Sequence, residues 1–213
     1  MPTVTALRAT RHGHVAIHVD DGFVAAVSDA FVIRHGLFVG LELDAARLDA
    51  LVAAAGTERA LADAYRLLGH RARSRAELVE RLRARGHPEL AVADVVSRLT
   101  AEGLVDDHAF AAAFVADKRR LAGWGAGRIA RELARHGVAE AVAQAALSGS
   151  GDADELARAL LVLGRRGPAK APLDTARKRA YEHLVRRGYS TAVAYRAVRE
   201  WSAAGAASGT STD

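Results

Sequence analysis

Residues 74–96 read SRAELVERLRARGHPELAVADVV, and the pattern returns at 125–147 as GAGRIARELARHGVAEAVAQAAL and at 175–198 as TARKRAYEHLVRRGYSTAVAYRAV. The three stretches align without gaps on Gly86, Gly137 and Gly188, two equal steps of 51 residues. Four residues before each glycine stands a leucine (Leu82, Leu133, Leu184), and one residue before it a basic or imidazole side chain (Arg85, His136, Arg187). A period of this length marks a tandem array of small helical units, and such arrays usually bind other macromolecules.

Working outward from those stretches, each unit reads as three helices. In the first, Thr57 is positioned to cap a helix running to about Leu68, and Ser74 to Glu77 forms a capping box. Leu78 and Leu82 share a helical face that Gly86 closes, and Pro88 suits the first position of the next helix. Val92, Val95, Val96 and Leu99 form that helix's apolar stripe, with Gly103 as its stop. The second unit opens at Asp106 as cap, with Val105 and Phe110 spaced for a hydrophobic staple and Ala113, Phe114 and Leu121 expected to continue inward. Beyond the loop Gly123 to Gly127, Ile129 and Leu133 repeat the spacing of Leu78 and Leu82. The third unit opens on a capping box from Asp152 to Glu155, with Leu156, Leu160, Leu163, Leu184, Val193 and Trp201 as its core. Gly164 to Pro172 is its long connection.

Ahead of the array, Val4–Thr10, His14–Val19 and Phe23–Val27 alternate as strands, Val15, Ile17 and Val19 sharing a face, with a turn at Asp20-Asp21-Gly22 where glycine tolerates positive φ. Ser28-Asp29 opens a short helix to Arg34, stopped at Gly36, and Asp44 caps another that Gly56 ends near Ala55. The expected fold is mainly α: three three-helix repeats at 57–105, 106–150 and 151–204, after a β-meander plus helix module at 1–56, with a disordered tail at 205–213.

Composition fits that plan. Half of the residues are apolar but only 5% are aromatic, which suits many small helical contacts better than a thick β core. There is no cysteine, so disulfides and thiolate metal sites are excluded. No segment approaches the roughly 18 apolar residues of a membrane span, and the first residues lack a signal-peptide core, so a cytoplasmic protein without membrane contact is expected. Residues 1–57 carry four arginines against six acids, whereas 58–148 carry 15 basic against 12 acidic residues and 149–213 carry 11 against 7. A basic array points to an anionic partner, either nucleic acid or an acidic protein surface.

Catalytic chemistry finds no foothold. There is no GxxxxGK[ST], HExxH or GxSxG. The loop Gly123-Trp124-Gly125-Ala126-Gly127 has no buried strand before it, so it reads as a flexible connector with Trp124 packed on a neighbour. His12, His14 and His18 lie on one side of a strand near Asp20, where a solvent-facing polar edge explains them more simply than a metal. The chain is expected to be no enzyme and to carry no cofactor or metal. The remaining signal is basic: Arg71 and Arg73, Lys118 to Arg120, Arg165 and Arg166, Arg177 to Arg179, Arg186 and Arg187, and a helical stripe of Arg128, Arg131 and Arg135.

AYRLLGHRARSRAELVERLRARGH with VVSRLTAEGLVDDHAFAAAFV, then KRR, the glycine loop and RIARELARHGV, resemble the RecX family of recombinase regulators over about residues 12–202. The stretch DGFVAAVSDAFVIRHGLFVGLELDAARLDALV is similar to the extension of longer members. In the third unit Ala180 stands where Leu78 and Ile129 stand. The resemblance implies a helical array lying in the groove of the RecA–single-stranded DNA filament, restraining recombinase, ATPase and coprotease activity by blocking growth or promoting disassembly. It implies the RecA filament as partner, with single-stranded DNA met directly or through the filament; a monomer is expected. The expected contacts are Lys118, Arg119, Arg120, Arg128, Arg131 and Arg135, with Arg71, Arg73, Arg165 and Arg166 as second choices. The alternative is a sequence-nonspecific DNA-binding protein of helix-turn-helix-like units, although no helix shows a base-reading set at its exposed start.

Overall fold

The computed structural model describes residues 1–11, 13–148, 152–165 and 172–209, without the side chains of 152, 153 and 205–209. The chain divides into two units, Met1–Val105 and Asp106–Asp213.

The first unit begins with an antiparallel meander of β1 (Val4–Ala9), β2 (Val15–Val19) and β3 (Gly22–Val27). The left-handed residues of its β2–β3 turn are Asp20 (φ 47°) and Asp21 (φ 64°), not Gly22, which already pairs with Val19. Two positive φ angles in succession match the twist of a two-residue hairpin, and aspartate tolerates them better than most residues. The Thr3 amide donates to Asp20 Oδ1 at 2.9 Å and the Asp21 amide to Thr5 Oγ1 at 3.0 Å, fastening the turn to the neighbouring chain. Val4, Ile17, Val19 and Val27 share a core with Phe31 of α1 (Asp29–Arg34), Leu37 and Leu43. Ser28 caps α1, accepting from the Phe31 amide at 3.1 Å.

One helix, α2 (Ala45–His70), crosses the expected boundary. Asp44 caps it as expected, but Gly56 does not end it and Thr57 caps nothing. An interior glycine costs a helix only about 1 kcal/mol. Burial on both sides outweighs that cost here: Leu51 and Ala55 complete the sheet core, while Ala60, Ala64 and Leu67 enter the next one. The N-terminal module and the first repeat are therefore joined by a continuous rod.

The first repeat adds α3 (Arg75–Ala84) and α4 (Glu89–Ala101) to the end of α2. Ser74 accepts from the Glu77 amide at 3.1 Å. Pro88 sits one residue earlier than expected, extended at the cap (ψ 146°), so that Glu89 starts the helix. Leu78, Leu82, Val92, Val95, Val96 and Leu99 are buried together.

In the second unit, Asp106 caps α5 (Asp107–Asp117), accepting from the His108 and Ala109 amides at 2.8 and 3.1 Å. The two residues of the expected staple belong to different cores, Val105 to that of the first repeat and Phe110 to that of the second. The inward stripe of α5 is Phe110, Ala111 and Val115. Phe114, half-buried, packs against that core as expected, whereas Ala113 is exposed and Leu121 is 67% exposed, against expectation. The helix widens at Lys118–Ala122 into a π-type turn, which carries Leu121 out of phase with the core. Helices α6 (Ala126–Arg135) and α7 (Glu140–Leu147) complete the repeat around Ile129 and Leu133. The third repeat is α8 (Asp152–Gly164), α9 (Leu173–Arg186) and α10 (Thr191–Gly209), with Leu156, Leu163, Ala180, Leu184 and Val193 buried and Leu160 and Trp201 packed at the margin. Helix α10 continues past the expected tail start at Gly205; residues 210–213 lie outside the described ones, as do residues 166–171 of the long connection and the Asp152 side chain of the expected capping box.

The second and third repeats interlock. The Gly125 amide donates to the Arg187 carbonyl at 2.8 Å, the Gly127 amide to the Gly188 carbonyl at 2.9 Å, and the Ala126 amide to Glu155 Oε1 at 3.2 Å. These bonds satisfy amides at the start of α6 that the helix itself leaves open. A Cβ on Gly188 would stand 2.2 Å from the Arg128 nitrogen, and one on Gly125 would stand 2.4 Å from the Tyr189 nitrogen. The glycine loop is thus a docking seam rather than the expected flexible connector.

Gly86 and Gly188 occupy equivalent turns with φ of 80° and 88°, but a Cβ on Gly86 meets nothing within 4 Å. Gly86→Ala is expected to cost only the left-handed penalty of about 1–2 kcal/mol. Gly188→Ala must also displace backbone and is expected to cost roughly 3 kcal/mol or more. Urea unfolding followed by helical circular dichroism compares the two; equal losses would show that the seam tolerates a methyl group.

Candidate functional site

The basic clusters separate by what their side chains touch. Arg71 and Arg73 both bond Glu77, and Arg73 Nε also donates to the Leu67 carbonyl at 3.1 Å. The side chains of Arg73 and Glu77 are only 10% and 9% exposed. This pair of arginines staples the end of α2 to the start of α3. Burial disfavours the Glu77 carboxylate, but the Arg71 hydrogen bond and the charges of Arg71 and Arg73 outweigh it and hold the carboxyl below its usual range.

Arg119 also turns inward, donating to the Leu147 carbonyl at the end of α7 at 3.0 Å. Burial, then the neighbouring charge of Arg158, push its pKa down. Lys118 lies over two rings, its Nζ 5.0 Å from the Phe114 centroid and 5.1 Å from that of Trp124. The Arg128 guanidinium lies 4.1 Å from the Trp124 ring, in cation–π contact.

The outward cations are Arg120, Arg131, Arg135 and Arg165. Arg120 is 73% exposed with Asp117 at 3.5 Å, and Arg135 is equally exposed with Glu132 at 2.8 Å. Exposed pairs of this kind hold their charges weakly, at about 0–1 kcal/mol, and release them readily to a partner. Arg131 and Arg165 have no carboxylate within ion-pair distance among the described residues. Arg166 lies outside the described residues, as does His12, while His14 is exposed and His18 packs edge-on against Phe23. Among the described residues no group of three or more His, Asp or Glu side chains is arranged to hold a metal, and no helix is long and apolar enough to cross a membrane.

The basic residue before each repeat glycine has a packing partner. Arg85 pairs with Asp63 at 3.1 Å, beside His87 at 2.8 Å from the same carboxylate. His136 lies edge-on to the Phe110 and Phe114 rings. Arg187 bonds the Ala122 carbonyl and sits 2.9 Å from His183. That last link shapes a concavity of about 670 Å³ between α6, α8 and α9, lined by Trp124, Arg128, Arg165, His183, Arg186 and Arg187 among others. Arg186 and Arg187 stand out in the sequence as a basic pair, but nothing in the pattern sets them beside Trp124, 62 and 63 residues earlier in the chain.

Residues 60–99 match the model of the first RecX three-helix domain, and residues 106–147 that of the second. The regulatory protein RecX of Thermobifida fusca (strain YX) is 38% identical over 144 residues, covering 67% of this chain and 78% of that protein. The chain belongs to the RecX family. The regulatory protein RecX of Mycobacterium marinum is 43% identical over 140 residues, 64% of this chain and 81% of its own. A crystal structure of regulatory protein RecX shares the fold, with a TM-score of 0.72 at 24% identity over 94% of this chain and all of that one. The first RecX domain model covers the Arg71–Arg73–Glu77 staple, and the second covers Lys118 to Arg135.

The depressed Glu77 carboxyl has a consequence for stability. Its folded pKa lies below the ordinary glutamate value of about 4.3. The stabilisation is therefore complete above that value and is lost as pH falls through the folded pKa. Glu77→Gln is expected to lower stability at pH 7 by roughly 2 kcal/mol, the scale of a charge-assisted hydrogen bond. The difference between variant and wild type should shrink from pH 6 to pH 3 in urea titrations. A gap that stays constant across that range would show that Glu77 ionisation does not matter.

Proposed function

We propose that this RecX-family chain is a non-enzymatic cytoplasmic regulator that binds the RecA filament on single-stranded DNA and modulates RecA, mainly inhibiting it, by blocking filament growth or promoting disassembly. The observation that carries this reading is the two-sidedness of α6. Ile129 and Leu133 are fully buried, while Arg131 and Arg135 on the same helix face outward, one of them with no carboxylate partner among the described residues. Arg120 adds an exposed cation within the preceding π-type turn. A face of this kind suits an acidic or nucleoprotein surface. Several helical repeats on one chain, each contributing modest contacts, raise the effective concentration of the next contact once the first is made.

The contact set is narrower than the basic clusters suggest. Arg71, Arg73 and Arg119 support the fold through Glu77 and the Leu147 carbonyl, so reversing them would test folding rather than binding. Arg120, Arg131 and Arg135 are the residues to reverse. The triple variant Arg120→Glu, Arg131→Glu, Arg135→Glu is expected to lose inhibition of RecA-driven ATP hydrolysis on single-stranded DNA while keeping its helical circular dichroism. Unaltered inhibition by the folded variant would remove these residues from the contact.

A further inference from the structure

We propose that the cationic concavity between the second and third repeats binds directly to single-stranded nucleic acid, gripping a phosphate between arginines and laying the attached sugar and base on an apolar floor. This deepens the proposed function and rests on it only for the source of the strand, the DNA within the filament.

Four features of the site support this. Its rim carries Arg165 and Arg186, both exposed; Arg165 has no carboxylate partner among the described residues, and Arg186 has only an exposed Glu182 at 3.8 Å. Its wall holds the Arg128 guanidinium over Trp124, its central carbon 4.1 Å from the ring centroid. Its floor is apolar, built by Leu121, Val162 and the indole itself, and among the described residues no carboxylate lines it. It is also rigidly framed, because Arg187 bonds the Ala122 carbonyl and the glycine seam fixes α6 against the turn at Gly188.

Guanidinium forks match phosphate oxygens in geometry as well as charge. Indole and guanidinium planes accept a base face without regard to its identity. A volume of about 670 Å³ falls within the roughly 300–1,000 Å³ of small-ligand sites, enough for a nucleotide unit. An acidic helix would instead call for an extended groove with anchors every three or four residues. A strand fits better than a free nucleotide, because Arg131 and Arg135 continue the cationic row along α6 from Arg128, as successive phosphates require.

The chain has two tryptophans, so Trp201→Phe leaves Trp124 as the single fluorescent reporter inside the site. Titrating this protein with a 12-residue oligothymidylate is expected to change Trp124 emission saturably, with an affinity that falls steeply as salt rises. Adding Arg165→Glu and Arg186→Glu should weaken binding at least tenfold with circular dichroism unchanged. Absence of an emission change, or binding indifferent to the two reversals, overturns the proposal. Thymidine monophosphate saturating at the same nucleotide concentration would overturn a strand as the occupant, and oligoglutamate displacing the oligonucleotide at lower charge concentration would assign the site to an acidic protein. RecA-driven ATP hydrolysis is measured with the same protein. Inhibition without oligonucleotide binding overturns the pocket alone, and oligonucleotide binding without inhibition overturns the filament reading alone.

Discussion

Two backbone hydrogen bonds, from the Gly125 amide to the Arg187 carbonyl and from the Gly127 amide to the Gly188 carbonyl, seat the turn of the third repeat on the start of α6. They form only because neither Gly125 nor Gly188 carries a Cβ that would push the two backbones apart. The consequences spread outward from there. Amides that any helix leaves open at its start are paired with backbone instead of water. Tyr189, buried beside the seam, reaches the Gly123 carbonyl at 3.4 Å, and Arg187 reaches that of Ala122. Arg165 and Arg186, contributed by the third repeat, then line the same concavity as Trp124 and Arg128, contributed by the second. The cationic site follows from a steric allowance rather than from any local attraction among arginines, which repel one another.

The same economy governs the charged residues as a whole. An arginine held by a buried carboxylate or a helix-end carbonyl has its donors committed, and removing it leaves an unpaired polar group inside the fold. Arg73 and Arg119 are of this kind. An arginine on an exposed helix face keeps its donors within reach of a partner, even when a nearby carboxylate shares it, because water competes for both. Arg120, Arg131 and Arg135 are of that kind. Net charge counts both classes equally, so a basic composition overstates the area available for binding.

Repeat architecture was legible because its signals are local and recur. The leucine four residues before each glycine, the glycine itself and the serine or aspartate caps each act within one helical turn, and Leu82, Leu133 and Leu184 are all fully buried. The misreadings share a cause too. Gly56 has every local mark of a helix stop, yet the two cores on either side of it decide for continuity. At the hairpin, Gly22 was the obvious candidate for positive φ, but strand pairing claims it and passes the strained positions to two aspartates. Leu121 was placed inward by simple helical phase, and a π-type turn rotated it out. At Gly56 packing on both sides overrules a correct local preference, at Gly22 strand pairing does, and at Leu121 a change of helical pitch does.

The site was legible only by residue type. That arginines would matter could be read from their number; which ones face outward could not, since Arg119 and Arg120 are neighbours in sequence and opposite in fate. The glycine loop carries a stronger signal than a flexible linker does. A flexible linker needs small residues but no particular spacing, whereas glycines at 123, 125 and 127 alternate as a backbone contact requires. The corresponding positions of the first repeat hold Ala72, Ser74 and Ala76, whereas a Cβ at Gly125 would meet the backbone of Tyr189 at 2.4 Å. Glycine at those three places in one repeat and not in the other therefore marks where a second chain segment comes within touching distance. Among the described residues, the second repeat receives the turn at Gly188 that follows it, and this docking assembles cations from two repeats around one aromatic ring.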